Sequence, residues 1–525
     1  MTGRALIDAV VLPMDDPGRT GTGVLWEDGK VVLVGDDAQV TAEAEHRGIR
    51  PERLGGRLVL PGFVDAHMHF LQVGLKDLRP DLHGATSLDD ALARVAAWIE
   101  AHPGDGPVTA EGWDESLWGD PRRPHRDDLD RLAPDRPVVM RRVCGHVAVA
   151  NGAALQVIGD RWSEPGQVDA PTGLLLEEPS LYLSEALPPT DAELDAAVDA
   201  ACRAAHRLGV TSLGDYAQAP HRRALARAAA EGRLTVRVAA SLYPQDLEAE
   251  LERGFRTGRP HGTPQGPSPW LRDGGLKVFL DGSIGGRTAL LREPYADEPS
   301  GRGCRLWSDE ALDRLLRRAS EAGVQIHAHA IGDGAVDQGL DAFTRLAVRR
   351  TGLHGSREET QEDPLRHRFE HFEIVHDGQV QRAARLRLAA CVQPNFVGAW
   401  SGPGGLYEKR LGSRCSLNNR FVSCLRAGIR LSFGSDGMPF SPLVGLQAAL
   451  DHPIPSERLG AHEALWLYTR AAAWSLHWEG EIGSLEPGKH ADLVVLEADL
   501  ARPPRTWRIL ETVQAGSTVW RQDDR

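Results

Sequence analysis

Eight short apolar runs, rich in β-branched residues, alternate with helix-like segments along most of the chain. The runs cover residues 58–67, 210–217, 234–243, 274–283, 323–333, 367–375, 386–396 and 428–437. One helix-like segment, 308–323, begins at Ser308, a typical N-cap residue, and ends at Gly323. Alternation of this kind is typical of parallel strands joined by crossover helices. Eight such units predict an α/β chain folded as a (β/α)8 TIM barrel.

Two parts of the chain fall outside this rhythm. Strand-like segments near both ends predict one small β domain built from residues 1–56 and 483–525, which leaves 57–482 for the barrel. Residues 71–205, after the first run, are too many for a βα loop and predict an inserted cap. An insertion at the carboxyl ends of barrel strands would lie above the active site. The Gly/Pro-rich segment 257–269 is expected to be a loop.

The composition argues against several classes of protein. The chain has 525 residues and a formal net charge of −14, which disfavours binding to nucleic acid or to an anionic membrane surface. The six cysteines form no CxxC pair, which argues against a disulfide framework or a cysteine-based zinc site. There is no apolar run of about 18 residues that could span a membrane. Because the N-terminus also lacks a signal-peptide pattern, we expect a cytoplasmic location.

Metal-binding residue types stand near the carboxyl ends of four predicted strands. They are His67 and His69 after the first run, His327 and His329 in the fifth, His371 in the sixth, and Asp436 after the eighth. Side chains i and i+2 of a strand share one face, so each histidine pair can direct two imidazoles to one ion. Barrel enzymes place their catalytic groups at this end of the strands. The set therefore predicts a metal site at the barrel mouth.

Lys277 lies in the apolar run 274–283 and is one of five lysines among 60 Lys and Arg residues. A lysine directed into a barrel must be paired or neutralised. One interpretation is a structural salt bridge to Asp281 or Asp436. The other is a role linked to the metal.

Ordered motifs along nearly the whole chain resemble those of the amidohydrolase superfamily. They are DAHMHF (65–70), KVFLDGS (277–283), HAHAIGD (327–333), RFEH (368–371), CVQPNF (391–396), GSDGMP (434–439) and the tail GSLEPGKHADLVVLEADL (483–500). More narrowly, they resemble its YtcJ-like, amidohydrolase-3 branch, which includes N-substituted formamide deformylases. The resemblance implies a (β/α)8 barrel with a β-sandwich built from both termini. It also implies one or two divalent metal ions per chain, with zinc as the expected ion.

The resemblance also implies a ligand set. His67, His69 and Asp436 would bind a first metal. Lys277, carboxylated on its ε-amine, would bridge to a second metal held by His329 and His371. For His327 three roles stay open: a ligand, a group that supports a ligand, or a substrate contact.

This ligand set implies hydrolysis of an amide-like, non-peptide C–N bond in a small molecule. Zinc would lower the pKa of bound water toward roughly 7, so that hydroxide is available for attack. Asp436 would take up the proton and pass it to the leaving amine. An esterase or lactonase is the alternative enzyme, because the same hydroxide attacks esters. A catalytically silent binding protein is the alternative of another class, and the complete ligand set argues against it. A homo-oligomer is compatible with the sequence.

The insertion supplies further candidates, because in the family the corresponding stretch closes over the site. The candidate substrate contacts are Trp113, Asp114, Trp118, His146 and Asn151. The alternative is that the tryptophans only pack the insertion onto the barrel. Arg287 could hold a substrate anion or pair with an acid. We expect Asp333 and Glu370 to support ligands or cap helices rather than to catalyse.

Overall fold

The computed structural model describes most of the chain. The described residues are 3–120, 122–143, 147–159, 167–176, 178–181, 183–351, 363–501 and 504–522. They divide into two compact units, one formed by residues up to Phe70 together with Cys202 onward, and the other by Leu71–Ala201. The boundaries predicted from the sequence for the separate domains stay predictions.

Eight parallel strands form a nearly closed barrel sheet, which confirms the predicted fold class. They are β1 (Phe63–Met68), β2 (Val210–Tyr216), β3 (Arg237–Leu242), β4 (Gly266–Phe279), β5 (Ile326–Ala330), β6 (Arg368–His371), β7 (Ala389–Val392) and β8 (Leu431–Phe433). Each strand pairs in parallel with its chain neighbour, in the order β8-β7-β6-β5-β4-β3-β2-β1. Just beyond β8, the backbone N–H of Asp436 donates to the carbonyl of His67 in β1 at 2.9 Å.

Helices connect and cover these strands. Those after β2 are Ala219–Ala230, Leu247–Glu252, Asp309–Glu321, Asp333–Thr351, Asp377–Arg385, Pro394–Trp400, Leu406–Leu411, Phe421–Arg426, Pro442–Leu450, Ala461–Leu467 and Arg470–Ser475. Asp309–Glu321 begins as predicted, since the Ser308 side chain accepts a hydrogen bond from the N–H of Ala311. It buries Leu312, Leu316 and Ala319, one stripe of an amphipathic helix.

Two further sheets are built from both ends of the chain. One contains Gly3–Ile7, Gly23–Glu27, Lys30–Gly35 and Pro51–Arg53, with the helix Asp37–His46, and the other contains Val10–Val11, Leu58–Pro61, Leu493–Glu497, Arg508–Gln514 and Ser517–Arg521. Trp26 from the first sheet and Val59 and Leu493 from the second belong to one buried core. The extra sheet domain expected from both termini is therefore present.

Two predicted segments differ from the structure. The run 58–67 forms two strands in different sheets, Leu58–Pro61 and β1, which are separated by Gly62. A Cβ at Gly62 would lie 2.3 Å from the side chain of Thr211, so only glycine fits there. The expected loop 257–269 is also wrong in part, because Pro260–Thr263 pairs antiparallel with the start of β4 as a hairpin.

The unit Leu71–Ala201 has its own mixed sheet and core. Its strands, in sheet order, are Val168–Asp169, Leu174–Leu176, Val147–Ala150, Val138–Arg142 and Val108–Trp113. Its helices include Leu88–Ala101, Arg126–Leu132 and Gly152–Ile158, and the helix Asp191–Arg207 leads the chain back to β2. Trp113, Val138 and Val149 belong to one of its buried clusters. Among the described residues of the whole chain, no helix has the length and apolar character needed to cross a membrane.

Candidate metal centre

The parallel sheet places the predicted metal ligands at one end of the barrel. His67 is the last residue but one of β1 and His69 follows the strand, while Asp436 follows β8. The Nε2 atoms of His67 and His69 lie 3.4 Å and 3.2 Å from Asp436 Oδ1. One donor atom from each of the three residues lies within 4.8 Å of the others. This spacing suits three ligands around one ion.

The charge state of Asp436 suits a ligand. Burial alone would raise the pKa of its carboxyl group, but His67 and His69 outweigh burial and hold that pKa well below its usual range. Asp436 adopts left-handed backbone, with φ 55°, and so does His371, with φ 70°. Residues other than glycine rarely adopt this conformation, and such strain is concentrated at functional sites.

Lys277 lies beside this group inside β4. Its side chain is buried, and its Nζ lies 3.3 Å from His67 Nε2. Burial lowers the pKa of this amine to about 8. Nζ also lies 4.2 Å from the ring centroid of Tyr216 and 5.0 Å from that of Phe279.

The structural salt bridge considered for Lys277 is absent from the described residues. Asp281 instead accepts hydrogen bonds from the backbone N–H groups of Leu290, Ile331 and Gly332 at 2.8–3.1 Å. Asp436 faces the two histidines of β1. Lys277 is therefore a buried amine without an ion-pair partner within 4 Å, next to a candidate ligand.

His329 and His371 lie beside the same group, since their ring centroids are 4.3 Å apart and that of His371 is 4.8 Å from that of His67. His329 Nε2–H donates to the carbonyl of Gly282 at 3.1 Å, which leaves its Nδ1 as the lone-pair atom. His371 Nδ1–H donates to Gln393 Oε1 at 2.8 Å, which leaves its Nε2. Burial lowers the pKa of His329 to about 3 and that of His371 well below its usual value. Both imidazoles are therefore neutral, the form that binds metal.

The residues present fit a divalent metal. His329 Nδ1 and Asp436 Oδ1 are buried and accept no well-directed hydrogen bond, although Asp436 Oδ1 lies close to two imidazoles. Buried polar atoms normally have a partner, so two orphaned lone-pair atoms at one strand-end site indicate a ligand. Neutral imidazole nitrogens and a carboxylate are the donors that zinc and similar ions take.

The chain matches the amidohydrolase family over residues 54–520. It belongs to the amidohydrolase family. A Bacillus subtilis (strain 168) protein named as amidohydrolase YtcJ is 31% identical over 97% of this chain and 98% of its own length. The N-substituted formamide deformylase of Arthrobacter pascens is 28% identical over 94% of this chain and 93% of that protein.

A solved structure agrees with this family membership. The crystal structure of an uncharacterized metal-dependent hydrolase from Pyrococcus furiosus matches with a TM-score of 0.81 and 29% identity. The match covers 95% of this amidohydrolase and all of that chain. The family resemblance expected from the ordered motifs is confirmed, and the chain has the fold of a metal-dependent hydrolase.

His327, whose role the sequence left open, points inside the barrel. Its Nδ1 lies 3.1 Å from the hydroxyl of Tyr216, and its Nε2 lies 2.9 Å from Gln325 Oε1. Burial and the nearby Arg368 guanidinium hold the pKa of His327 well below its usual value. Because both ring nitrogens have partners, the geometry supports an internal bridging role rather than a ligand role.

Three residues that contact candidate ligands or their partners were not predicted from the sequence. They are Tyr216, Arg368 and Gln393. Arg368 Nε donates to Glu370 Oε1 at 2.6 Å, and an Arg368 Nη2–H donates to the Tyr216 hydroxyl at 3.2 Å. Glu370, expected to support a ligand, lies 2.6 Å from His67 Nδ1. Gln393 contacts His371. The alternation of Arg368 and Glu370 in RFEH was the available signal, since both side chains share one face of β6.

Asp333 and Arg287 have structural partners. Asp333 begins the helix Asp333–Thr351, accepts from the N–H of Arg292 at 2.8 Å and lies 3.0 Å from His376 Nε2. Of the two roles left open for Arg287, the structure shows pairing with an acid, since its Nη2 lies 2.9 Å from Asp297 Oδ2.

The candidates in the inserted unit take structural positions where they are described. Asn151 is fully buried and caps the helix Gly152–Ile158. Its oxygen accepts from the N–H groups of Val138 and Ala154, and its NH2 donates to the carbonyls of Ala133 and Arg136. These bonds leave its amide no free donor for a substrate, which corrects the expected contact role.

The aromatic stretch of the insertion also packs within its own unit. Trp113 and Trp118 are buried in the unit's core, with ring centroids 6.2 Å apart. Trp113 Nε1 is buried and has no hydrogen-bond partner among the described residues, and Asp114 pairs with Arg142 at 2.7 Å. A substrate contact by Trp113 or Asp114 stays a prediction. His146 lies outside the described residues.

Proposed function

We propose that this amidohydrolase hydrolyses a non-peptide, amide-like C–N bond of a small molecule with the help of a divalent metal. The observation that carries the proposal is the cluster of His67, His69 and Asp436, whose donor atoms lie within 4.8 Å of one another, beside the buried and unpartnered Nδ1 of His329. A metal held there supplies Lewis-acid chemistry: it polarises a carbonyl group and lowers the pKa of water toward roughly 7.

The ligand roles follow the geometry. His67, His69 and Asp436 would hold one ion, since their donor atoms already cluster within 4.8 Å. His329 Nδ1 and His371 Nε2 would hold a second ion. Lys277 would contribute as a carbamate, formed when its neutral ε-amine adds to CO2 and releases one proton, because a carbamate offers two oxygen atoms that share one negative charge where the amine offers none.

Asp436 would also move the proton. Its carboxylate is ionised and partly accessible, with 15% of its side chain exposed. One oxygen can accept a proton from the attacking water, and the resulting carboxylic acid can return it to the leaving nitrogen. Zinc is the expected ion because the donors are nitrogen and oxygen atoms, a set that also accepts other transition metals.

The surroundings favour a neutral substrate with an apolar substituent. Phe279 ends β4 with 37% of its residue surface exposed, and its ring centroid lies 4.8 Å from that of His329. Tyr243 stacks on Phe279 with centroids 6.1 Å apart and an interplanar angle of 13°. Cleavage of a C–N bond is supported by similarity to the N-substituted formamide deformylase.

Metal analysis joined to a substrate panel tests the proposal. We expect one to two ions per chain, mostly zinc, with turnover lost on chelation and restored on metal addition. The panel would contain N-substituted formamides with aromatic or methyl groups, cyclic amides and aryl esters. Turnover of esters alone would favour the esterase or lactonase, and bound metal without any turnover would favour a binding protein. Activity that survives complete metal removal would contradict the proposal.

A further inference from the structure

The two histidines at the carboxyl ends of β1 and β6 are oriented by different kinds of partner. His67 directs its Nδ1 to the carboxylate of Glu370, and His371 directs its Nδ1 to the amide of Gln393. Both partners are fully buried, and both contacts engage Nδ1, so that Nε2 is the ring nitrogen left to act as a ligand. The geometry of the two contacts is therefore similar, and their charge differs.

Glu370 is held so that it can only accept. Its carboxylate forms a buried ion pair with the guanidinium of Arg368. Oε1 accepts from Arg368 Nε and Oε2 accepts from His67 Nδ1, each at 2.6 Å. Arg368 is itself fixed by the carbonyls of Ser475 and Ala66. An ionised carboxylate has no proton to donate, so His67 must carry its proton on Nδ1.

Gln393 offers a neutral version of the same contact. Its Nε2 lies 3.5 Å from the carbonyl of Cys391, which turns its Oε1 toward His371 Nδ1 at 2.8 Å. Gln393 also stands immediately before the helix Pro394–Trp400, which fixes its position. It therefore sets the tautomer of His371 without adding negative charge.

We propose that Glu370 is a positioning residue for His67, and that its charge makes His67 a stronger metal ligand than His371. The inference rests on the proposed function, since it requires that both histidines bind metal. A hydrogen bond to a carboxylate fixes the ring and raises the basicity of the opposite nitrogen. A neutral amide fixes the ring but raises the basicity less. The site that contains His67, His69 and Asp436 is then the first to fill.

The first test removes the charge at Glu370. In Glu370→Gln, we expect the first Zn²⁺ ion to bind the metal-free protein about 10-fold to 100-fold more weakly than in the wild type. The measurement is competition against a chromophoric chelator, and the visible spectrum of bound Co²⁺ reports a change in ligand geometry. Wild-type affinity together with an unchanged Co²⁺ spectrum would overturn the proposal.

Glu373→Gln is the matched control for this variant. Glu373 is buried two residues after His371, bonds to the hydroxyl of Tyr407 at 2.6 Å, and has no histidine partner among the described hydrogen bonds. Its partner is a neutral hydroxyl and not a candidate ligand, so glutamine leaves the contacts of both histidines in place. We expect metal affinity to stay at the wild-type value. A loss equal to that of Glu370→Gln would mean that any buried change near β6 acts in the same way, which would overturn the proposal.

A second variant keeps the idea testable if Glu370→Gln fails to fold with Arg368 left unpaired. Gln393→Glu places a carboxylate on His371 and leaves the Arg368–Glu370 pair intact. We expect the second Zn²⁺ ion to bind at least about tenfold more tightly. Unchanged or weaker second binding would contradict the role of charge. Failure of the wild type to bind any ion would instead contradict the proposed function.

Discussion

The carboxyl ends of the barrel strands and the inserted unit Leu71–Ala201 use polar residues in opposite ways. At the strand ends, His329 Nδ1 and Asp436 Oδ1 are buried lone-pair atoms without a well-directed hydrogen bond. In the inserted unit, the amide of Asn151 makes four hydrogen bonds within 3.0 Å. Buried lone-pair atoms without a hydrogen bond at one strand-end site indicate a ligand. An amide whose oxygen and NH2 group are all hydrogen-bonded to the protein indicates a structural role.

The indole of Trp113 limits this contrast. Its Nε1–H is buried in the inserted unit and has no partner among the described residues, yet an N–H group can only donate and cannot bind a metal. The guanidinium of Arg142 lies over the same ring, 5.9 Å from its centroid. Gln167 Oε1 in the inserted unit is also buried without a partner among the described residues, but an amide oxygen is a weaker metal ligand than imidazole nitrogen or carboxylate oxygen. The contrast therefore concerns histidine nitrogens and carboxylate oxygens, and substitutions at three positions would break or sharpen it.

The largest effect is expected for Asp436→Asn at the barrel mouth. The amide keeps the size of the side chain and loses the carboxylate that accepts a proton, so turnover should fall by about 10²-fold to 10⁴-fold. Steady-state kinetics and a thermal unfolding curve would measure turnover and folding separately. Near-wild-type turnover in a folded variant would show that Asp436 is not the proton carrier.

A smaller but distinct effect is expected for Lys277. Lys277→Arg keeps a cation, and Lys277→Met keeps the length of the side chain, but neither side chain can form a carbamate with CO2. We expect both variants to fold and to contain fewer metal ions per chain than the wild type, as measured by elemental analysis. Equal metal content in all three proteins would leave Lys277 as a buried amine without a metal role.

The barrel could be predicted well from the sequence because its geometry constrains strand ends. Any polar residue that follows an apolar run in a parallel barrel reaches the same mouth, so the positions of His67, His371 and Asp436 followed from the order of the runs. The sequence did not predict the change of sheet at Gly62, because residues 58–61 are as apolar as β1. The close approach of Thr211 explains why residue 62 is glycine.

The residues that orient the ligands were harder to find. Tyr216, Arg368 and Gln393 act through contacts between strands that are far apart in the sequence. In the inserted unit no rule links position to role, so a motif such as EGWDESLWGD could not separate core tryptophans from substrate contacts. Asn151 was misplaced for the same reason, since a helix cap and a substrate contact use the same residue type.

The smallest effect on chemistry is expected for Asn151→Ala, which tests the inserted unit. The substitution leaves the N–H groups of Val138 and Ala154 and the carbonyls of Ala133 and Arg136 without their partners. An unpartnered buried polar group costs about 1–3 kcal/mol, so we expect stability to fall by at least about 2 kcal/mol. Urea and thermal unfolding would measure this loss.

Asn151→Asp separates the cap from the other bonds. Aspartate keeps the oxygen that accepts from Val138 and Ala154 but places a second acceptor oxygen against the carbonyls of Ala133 and Arg136. Its loss of stability at neutral pH should therefore be at least as large as that of alanine. Metal content should match the wild type in both variants, because the four hydrogen bonds of the Asn151 side chain all lie within its own unit. If Asn151→Ala kept its stability and raised the KM, Asn151 would contact substrate after all. The inserted unit would then share the ligand-binding role that the contrast reserves for the barrel.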